Sequence, residues 1–475
     1  MSFAEFSEFD GVGLADLIRK KEVTPLELVD AAIERIERHN NSLNAVVYSA
    51  FDEARATAQT DLPDGPFRGI PLLIKDLGCP VKGWPRTDGS RYCKDDVDAE
   101  DGLLTARFRD AGFILLGKTN TPEFGITGTT ESALLGPCRN PWNRDHISGG
   151  SSGGAASAVA AGIVPIAHAS DGLGSIRIPA ACCGLFGLKI TRDRNPNGAN
   201  TDRVIGLSVD HVVTRSVRDS AAVLDATGYP EPQSPYAYPP KERPFSMEVG
   251  AKPGKLKIAY SIENGIGMDP EPAVMDALNN TIDLLRSLGH DVEERSLGID
   301  WREMYKAHSA FSASDFAAKI SRLTEARGRD PQEEDFEPLT WAIIKAGKRA
   351  SGESVMRGLR ALREINRQTL AIFEEVDVYL APVLGIVPPE IGYMDPANQD
   401  PRTFNKNQAK ILATTPPFNF TGQPAMSVPL CMSENGLPIG MHFVGRYGDE
   451  ATLIRLASQL ESEAPWIDRR PPIWG

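Results

Sequence analysis

Apolar positions in this chain recur in two alternating periods. Thr24-Pro25-Leu26-Glu27 reads as a capping box with proline at the first helical position, and Leu28, Val29, Ala32, Ile33 and Ile36 then share one face. That spacing predicts a helix ending near Asn40-Asn41. Continuous apolar runs at Gly69 to Ile74 and Gly112 to Gly117 predict buried strands. Ile163-Val164-Pro165-Ile166-Ala167 predicts another, although proline is a poor strand residue. Leu256 to Tyr260, Val376 to Ala381 and Ile439 to Val444 predict further strands, and Ala273 to Leu288 a helix capped by Gly289. This alternation implies an α/β layer structure with a mostly parallel sheet.

Two stretches break the pattern. Arg192 to Arg203 is polar and glycine-bearing, and reads either as a plain surface loop or as a lid. Tyr229 to Pro253 is rich in proline and poor in apolar residues, and reads as a connection between sheet halves, because strands continue beyond it.

Composition excludes several classes. The chain has 475 residues, 41% hydrophobic and 24% charged, near the globular average. A net charge of −13 argues against a nucleic-acid partner and an anionic membrane surface. No apolar run reaches the ~20 residues that span a bilayer, and Met1 to Phe6 has no signal-peptide character. The six cysteines are scattered, with no C-x-x-C pair. Cys182-Cys183 are expected at the start of a buried helix. A cytoplasmic protein without metal or cofactor is the expectation.

The chemistry concentrates in a Gly/Ser-rich stretch. Ile147-Ser148-Gly149-Gly150-Ser151-Ser152-Gly153-Gly154 runs into the small residues Ala155 to Ala161, which favours a packed helix over a flexible linker. Ser170-Asp171-Gly172-Leu173-Gly174-Ser175-Ile176-Arg177 follows, and Lys75 stands upstream at the end of Pro71-Leu72-Leu73-Ile74. A serine hydroxyl needs a base to become a nucleophile. None of the seven histidines lies in an obvious catalytic setting. Lysine serves instead when burial makes its neutral form available, and a second hydroxyl can relay the proton because it both donates and accepts.

Two literal motif matches fail on context. Gly149-Gly150-Ser151-Ser152-Gly153 fits the nucleophile elbow G-x-S-x-G, but a loop precedes it where the elbow requires a strand. Gly112 to Thr119 fits G-x-x-x-x-G-K-T, but its central residues are themselves a strand and Asn120-Thr121-Pro122 follows in place of a helix.

Taken together, the Lys75, Ser151 and Ser175 segments resemble the core of the amidase signature family. Gly117 to Phe124, Arg139 to Trp142, Cys183 to Lys189 and Phe418 to Ala425 extend the resemblance over nearly the whole chain. The subgroup it is most similar to is that of cyclic-dimer hydrolases of nylon oligomers and urethane-cleaving amidases. The resemblance implies one α/β domain over residues 1–475, a large twisted mixed β-sheet core flanked by helices on both faces. Its catalytic core would span about 65–230 and its variable substrate-pocket region about 300–407. It further implies a Ser-cisSer-Lys triad of Ser175, Ser151 and Lys75 that hydrolyses amides through an acyl-enzyme. Oxyanion and substrate contacts would come from Gly172, Leu173, Gly174, Gly125, Ile126 and Thr127.

One departure from the family pattern stands at Leu173, where glycine is expected. The oxyanion donors are backbone N–H groups, so a side chain need not abolish them, but a positive φ there would be costly for leucine. The substrate implied is a small-molecule amide, with carbamates or esters as further candidates. A homodimer is left open. Two alternatives remain: a glutaminase-type subunit of an amidotransferase complex, and a non-catalytic ligand-binding relative.

Overall fold

The computed structural model describes residues 3–196, 206–231, 234, 236–265, 267–395 and 401–475. The capping box forms as read: the Thr24 N–H donates to Glu27 Oε2 (2.8 Å), the Glu27 N–H to Thr24 Oγ1 (3.3 Å). Helix Pro25–Leu43 follows and ends on a left-handed Asn44, a residue type that tolerates that conformation. Its face of Leu28, Val29, Ala32, Ile33 and Ile36 is buried.

The apolar runs become strands of one sheet, eleven-stranded among the described residues. In chain order its strands are β1 (Val46–Ser49), β2 (Pro71–Lys75), β3 (Ile114–Thr119), β4 (Ile166–Asp171), β5 (Phe186–Lys189) and β6 (Val209–Thr214). They continue as β7 (Lys257–Tyr260), β8 (Asp291–Glu294), β9 (Val378–Pro382), β10 (Ala425–Met432) and β11 (Pro438–Gly445). The spatial order is β1-β3-β2-β4-β6-β5-β10-β11-β9-β7-β8. Every residue of β2, β3 and β4 is buried, which explains why the apolar runs at β2 and β3 lack polar alternation.

Three sequence expectations need correction. The sheet is mixed, as the family resemblance implied, and not mostly parallel as the alternation of elements suggested. Pairs β2–β3, β2–β4, β7–β9 and β7–β8 are parallel, while β1–β3, β4–β6, β5–β6, β5–β10, β10–β11 and β9–β11 are antiparallel. The expected strand at Ile163 to Ala167 begins only at Ile166, after a proline that cannot donate to the ladder, and runs on through the polar His168, Ser170 and Asp171. Cys182 and Cys183 close, rather than open, their buried helix, Arg177–Cys183.

The polar run from Arg192 is also less loose than its composition suggests. Arg192 donates to the carbonyls of Gly206, Asn419 and Phe420, and Arg194 pairs with Glu450 at 2.6 Å. Residues 197–203 of that run lie outside the described residues. Among the described residues no helix is long and apolar enough to cross a membrane.

Candidate active site

Strands β2 and β4 are parallel neighbours, so their C-terminal ends open on the same edge, the place where ligands bind in open α/β sheets. Lys75 is the last residue of β2, and Ser170 and Asp171 are the last two of β4. The loop before helix Gly153–Ala160 brings Ser151 and Ser152 to the same point. Lys75 is fully buried, and its Nζ lies 2.8 Å from Ser151 Oγ, 2.9 Å from Ser152 Oγ and 3.0 Å from Ser170 Oγ. The peptide bond between Gly150 and Ser151 is cis.

The partners restrict how protons sit. The Ser152 hydroxyl donates to the Ser170 carbonyl (3.2 Å), so toward Lys75 it acts as an acceptor. A neutral amine has two N–H groups and one lone pair. Three surrounding hydroxyls therefore leave it able to accept from one of them, and Ser151 lies nearest. Thr121 Oγ1 donates to the Ser151 carbonyl (2.9 Å), fixing that residue from the other side. Behind the lysine, the Lys75 N–H donates to His168 Nδ1 (3.3 Å). His168 then carries its proton on Nε2, facing Asp210 Oδ1 at 3.1 Å.

Ser175 sits half-buried on the loop leaving β4, just ahead of helix Arg177–Cys183. Asp171 shapes that loop. Its carboxylate accepts the N–H groups of Gly174 (2.7 Å) and Ile176 (3.2 Å), the two residues flanking Ser175. Arg177 grips the same carboxylate through Nε and Nη2, both at 2.9 Å. Its remaining donors go to the Thr415 carbonyl, His442 Nε2 and Asn419 Oδ1, so this fully buried guanidinium has all five N–H groups engaged. Burial alone would raise the Asp171 carboxyl, but the Arg177 charge and hydrogen bonds hold it well below the usual carboxylate range. Burial, with Arg177 nearby, lowers Lys189 to about 7.

The loop answers the question raised by Leu173. Positive φ falls on Gly174 (133°), and Leu173 keeps an ordinary backbone. Its side chain is half-buried and packs against two core clusters, one around β2 to β4 and one including Phe311 and Phe420. Its carbonyl accepts from Thr415 Oγ1 at 2.6 Å. The Gly174 N–H is occupied by Asp171. The N–H groups of Gly172, Leu173 and Ser175 find no acceptor among the described residues.

Of the other expected contacts, Gly125 lies against Ser151. A Cβ built there would fall 3.1 Å from Ser151 Oγ, and φ is +69°, so glycine is required twice over. Ile126 packs half-buried against the cluster of Phe124, Ile320, Phe336 and Ile344. Thr127 Oγ1 donates to the Thr129 carbonyl (2.9 Å). Sequence reading passed over Ser152, Ser170, Thr121, Asn419 and Thr415. Ser152, Ser170, Thr121 and Asn419 all stand within quoted segments without a role assigned to them; Thr415 lies outside every quoted segment and nothing local marks it.

The amidase family profile matches residues 27–454. A 6-aminohexanoate-cyclic-dimer hydrolase of Paenarthrobacter ureafaciens is 36% identical over 482 residues, spanning 98% of this chain and 96% of that protein. The structure of a 6-aminohexanoate cyclic dimer hydrolase complexed with substrate superposes with a TM-score of 0.93 at 35% identity, covering 99% of this chain and 100% of that one. A bacterial aryl acylamidase of the amidase signature family superposes with a TM-score of 0.88 at 28% identity, covering 97% and 98%. The sheet, the buried lysine among serines and the match over most of the length lead to one conclusion: this chain belongs to the amidase family.

Proposed function

We propose that this amide-bond hydrolase works through an acyl-enzyme on Ser175, with Ser151 as proton relay and Lys75 as base. The observation that carries the reading is the 2.8 Å contact between Lys75 Nζ and Ser151 Oγ at a fully buried point. Burial disfavours an ammonium, and an amine that meets three hydroxyls with two N–H groups can offer its lone pair to the third. Ser175 Oγ attacks the carbonyl carbon and its proton passes to Ser151, whose own proton passes to Lys75. The free N–H groups of Gly172, Leu173 and Ser175 are the donors for the oxyanion. Collapse of the tetrahedral adduct breaks the C–N bond, and the amine leaves with the proton returned through Ser151. Water, deprotonated along the same route, then attacks the Ser175 ester and releases the acid.

Linear and cyclic amides of apolar chains are the substrates we favour, because half-buried Leu173 stands two residues before Ser175 and the relatives include cyclic-dimer hydrolases. Aryl carbamates present the same carbonyl to the same groups and are included as candidate substrates. We also read the protein as cytoplasmic, which its six unpaired cysteines support. The test is hydrolysis of 6-aminohexanoate cyclic dimer, an aliphatic amide, an anilide and an aryl carbamate by the purified chain beside Ser175→Ala. Turnover that disappears in the variant, by about 10³-fold or more, is the expected result. Turnover retained by Ser175→Ala overturns the assignment of the nucleophile.

A further inference from the structure

The turn that presses on Ser151 is held from a distant part of the chain. Phe124 has φ 50° and ψ 16°, and Gly125 follows with φ 69°, so two consecutive residues are left-handed. Phenylalanine takes that conformation at a cost and keeps it only where its surroundings over-determine it. Here the determinants converge on Asp88 and Lys319. The Phe124 N–H donates to the Asp88 carbonyl at 2.7 Å. The Asp88 carboxylate, itself buried, accepts from Lys319 Nζ at 2.9 Å and pairs with Arg86 at 3.4 Å. The same Lys319 Nζ stands 4.7 Å over the Phe124 ring, within cation–π range. Phe316, one turn earlier on helix Trp301–Arg327, meets that ring edge-on at 5.1 Å.

We infer that Lys319 is a positioning residue for the reaction: by binding both Asp88 and the face of Phe124, it fixes the Phe124–Gly125 turn against the Ser151 hydroxyl. The inference rests on the reading of Ser151 as relay. It ties the helix Trp301–Arg327, in the region expected to vary with substrate, to the conserved-type chemistry at Lys75. An uncharged residue at 319 removes the ion pair to Asp88 and the cation over the Phe124 ring, leaving the turn held only by the Asp88 carbonyl and the Phe316 edge, so Gly125 shifts relative to Ser151 Oγ. Proton relay suffers more than substrate binding, because a small misplacement of a catalytic group lowers rate steeply.

The test uses the full chain, with Lys319→Met and Lys319→Arg assayed beside the parent on whichever amide of the panel it hydrolyses. Lys319 is a third exposed, and thermal melting checks that both variants fold. Lys319→Met is expected to lower kcat about tenfold with KM within about twofold, and Lys319→Arg to restore most of the loss. Amide hydrogen exchange across residues 124–129 is expected to quicken in Lys319→Met alone, a readout that does not depend on turnover. A folded Lys319→Met with parental kcat and exchange overturns the inference, as does a Lys319→Arg variant equally impaired. Loss of the underlying triad reading would show separately, as a parent whose turnover survives Ser175→Ala.

Discussion

Replacing Asp171 with asparagine keeps the shape of the side chain and removes one acceptor and one charge. An amide has a single oxygen. Turned so that it still serves Gly174, Arg177 Nη2 and Asn419, the side chain presents its NH2 to the Ile176 N–H and Arg177 Nε–H, donors facing a donor. Arg177, fully buried, loses its counter-charge at the same time. Removing one member of a buried ion pair costs about 3–5 kcal/mol, a large part of the roughly 5–15 kcal/mol that holds a protein folded. Ile176 directly follows Ser175, so loss of its tether also displaces the proposed nucleophile and the N–H groups beside it. A fall in kcat of about 10²-fold is expected on the scale of one lost oxyanion donor. Urea unfolding followed by tryptophan fluorescence, with kcat on one amide, reads both effects. Because Arg177 holds the native carboxyl below its unfolded value, the stabilisation is fully present above about pH 4 and is lost only as pH falls further. The gap between parent and variant is therefore expected to be equal at pH 6 and pH 9. A variant within about 1 kcal/mol of the parent and within about threefold in kcat would refute the role given to Asp171.

Ser152→Ala removes one of the two hydroxyls that accept from Lys75 while leaving Ser151 in place, so kcat is expected to fall about tenfold and KM to stay near the parental value; an unchanged kcat counts against the three-hydroxyl arrangement. Glu337 is raised to about 7 by burial, with the Glu123 carboxylate adding to it. Its folded value lies above its unfolded one, so the fold is best stabilised with Glu337 protonated and loses stability as pH rises through this range. Glu337→Gln, which can still accept from the Ala133 N–H, is expected to raise the melting temperature at pH 8 and to leave it unchanged near pH 4. An increment equal at both pH values would show that ionisation of Glu337 is not the cause.

Much of the proposed site is readable because its chemistry is local. Lys75 stands at the end of an apolar run, and Ser151 and Ser175 lie in short glycine-bearing segments, so residue type and neighbours mark all three. The strands β2 and β3 were equally plain, since burial on both faces removes polar alternation and leaves a continuous apolar signal. The failures have the opposite character. Strand direction depends on which non-adjacent segments pair, and no local period records that, so a mostly parallel sheet was expected where a mixed one formed. Leu173 was a concern because its backbone angle is invisible in sequence; the structure puts the positive φ on Gly174 instead.

By itself, then, the sequence determined the residue types of the proposed chemistry, the buried strand that ends in Lys75 and the capped helix Pro25–Leu43, because each is written in neighbouring residues. Only the tertiary structure decided that Asn419 and Thr415 would hold the Asp171 loop, that Ser152 and Ser170 would share Lys75, and that Lys319 would reach Phe124. These contacts join residues far apart in the chain, and they exist because buried polar groups must find partners wherever packing brings one within reach.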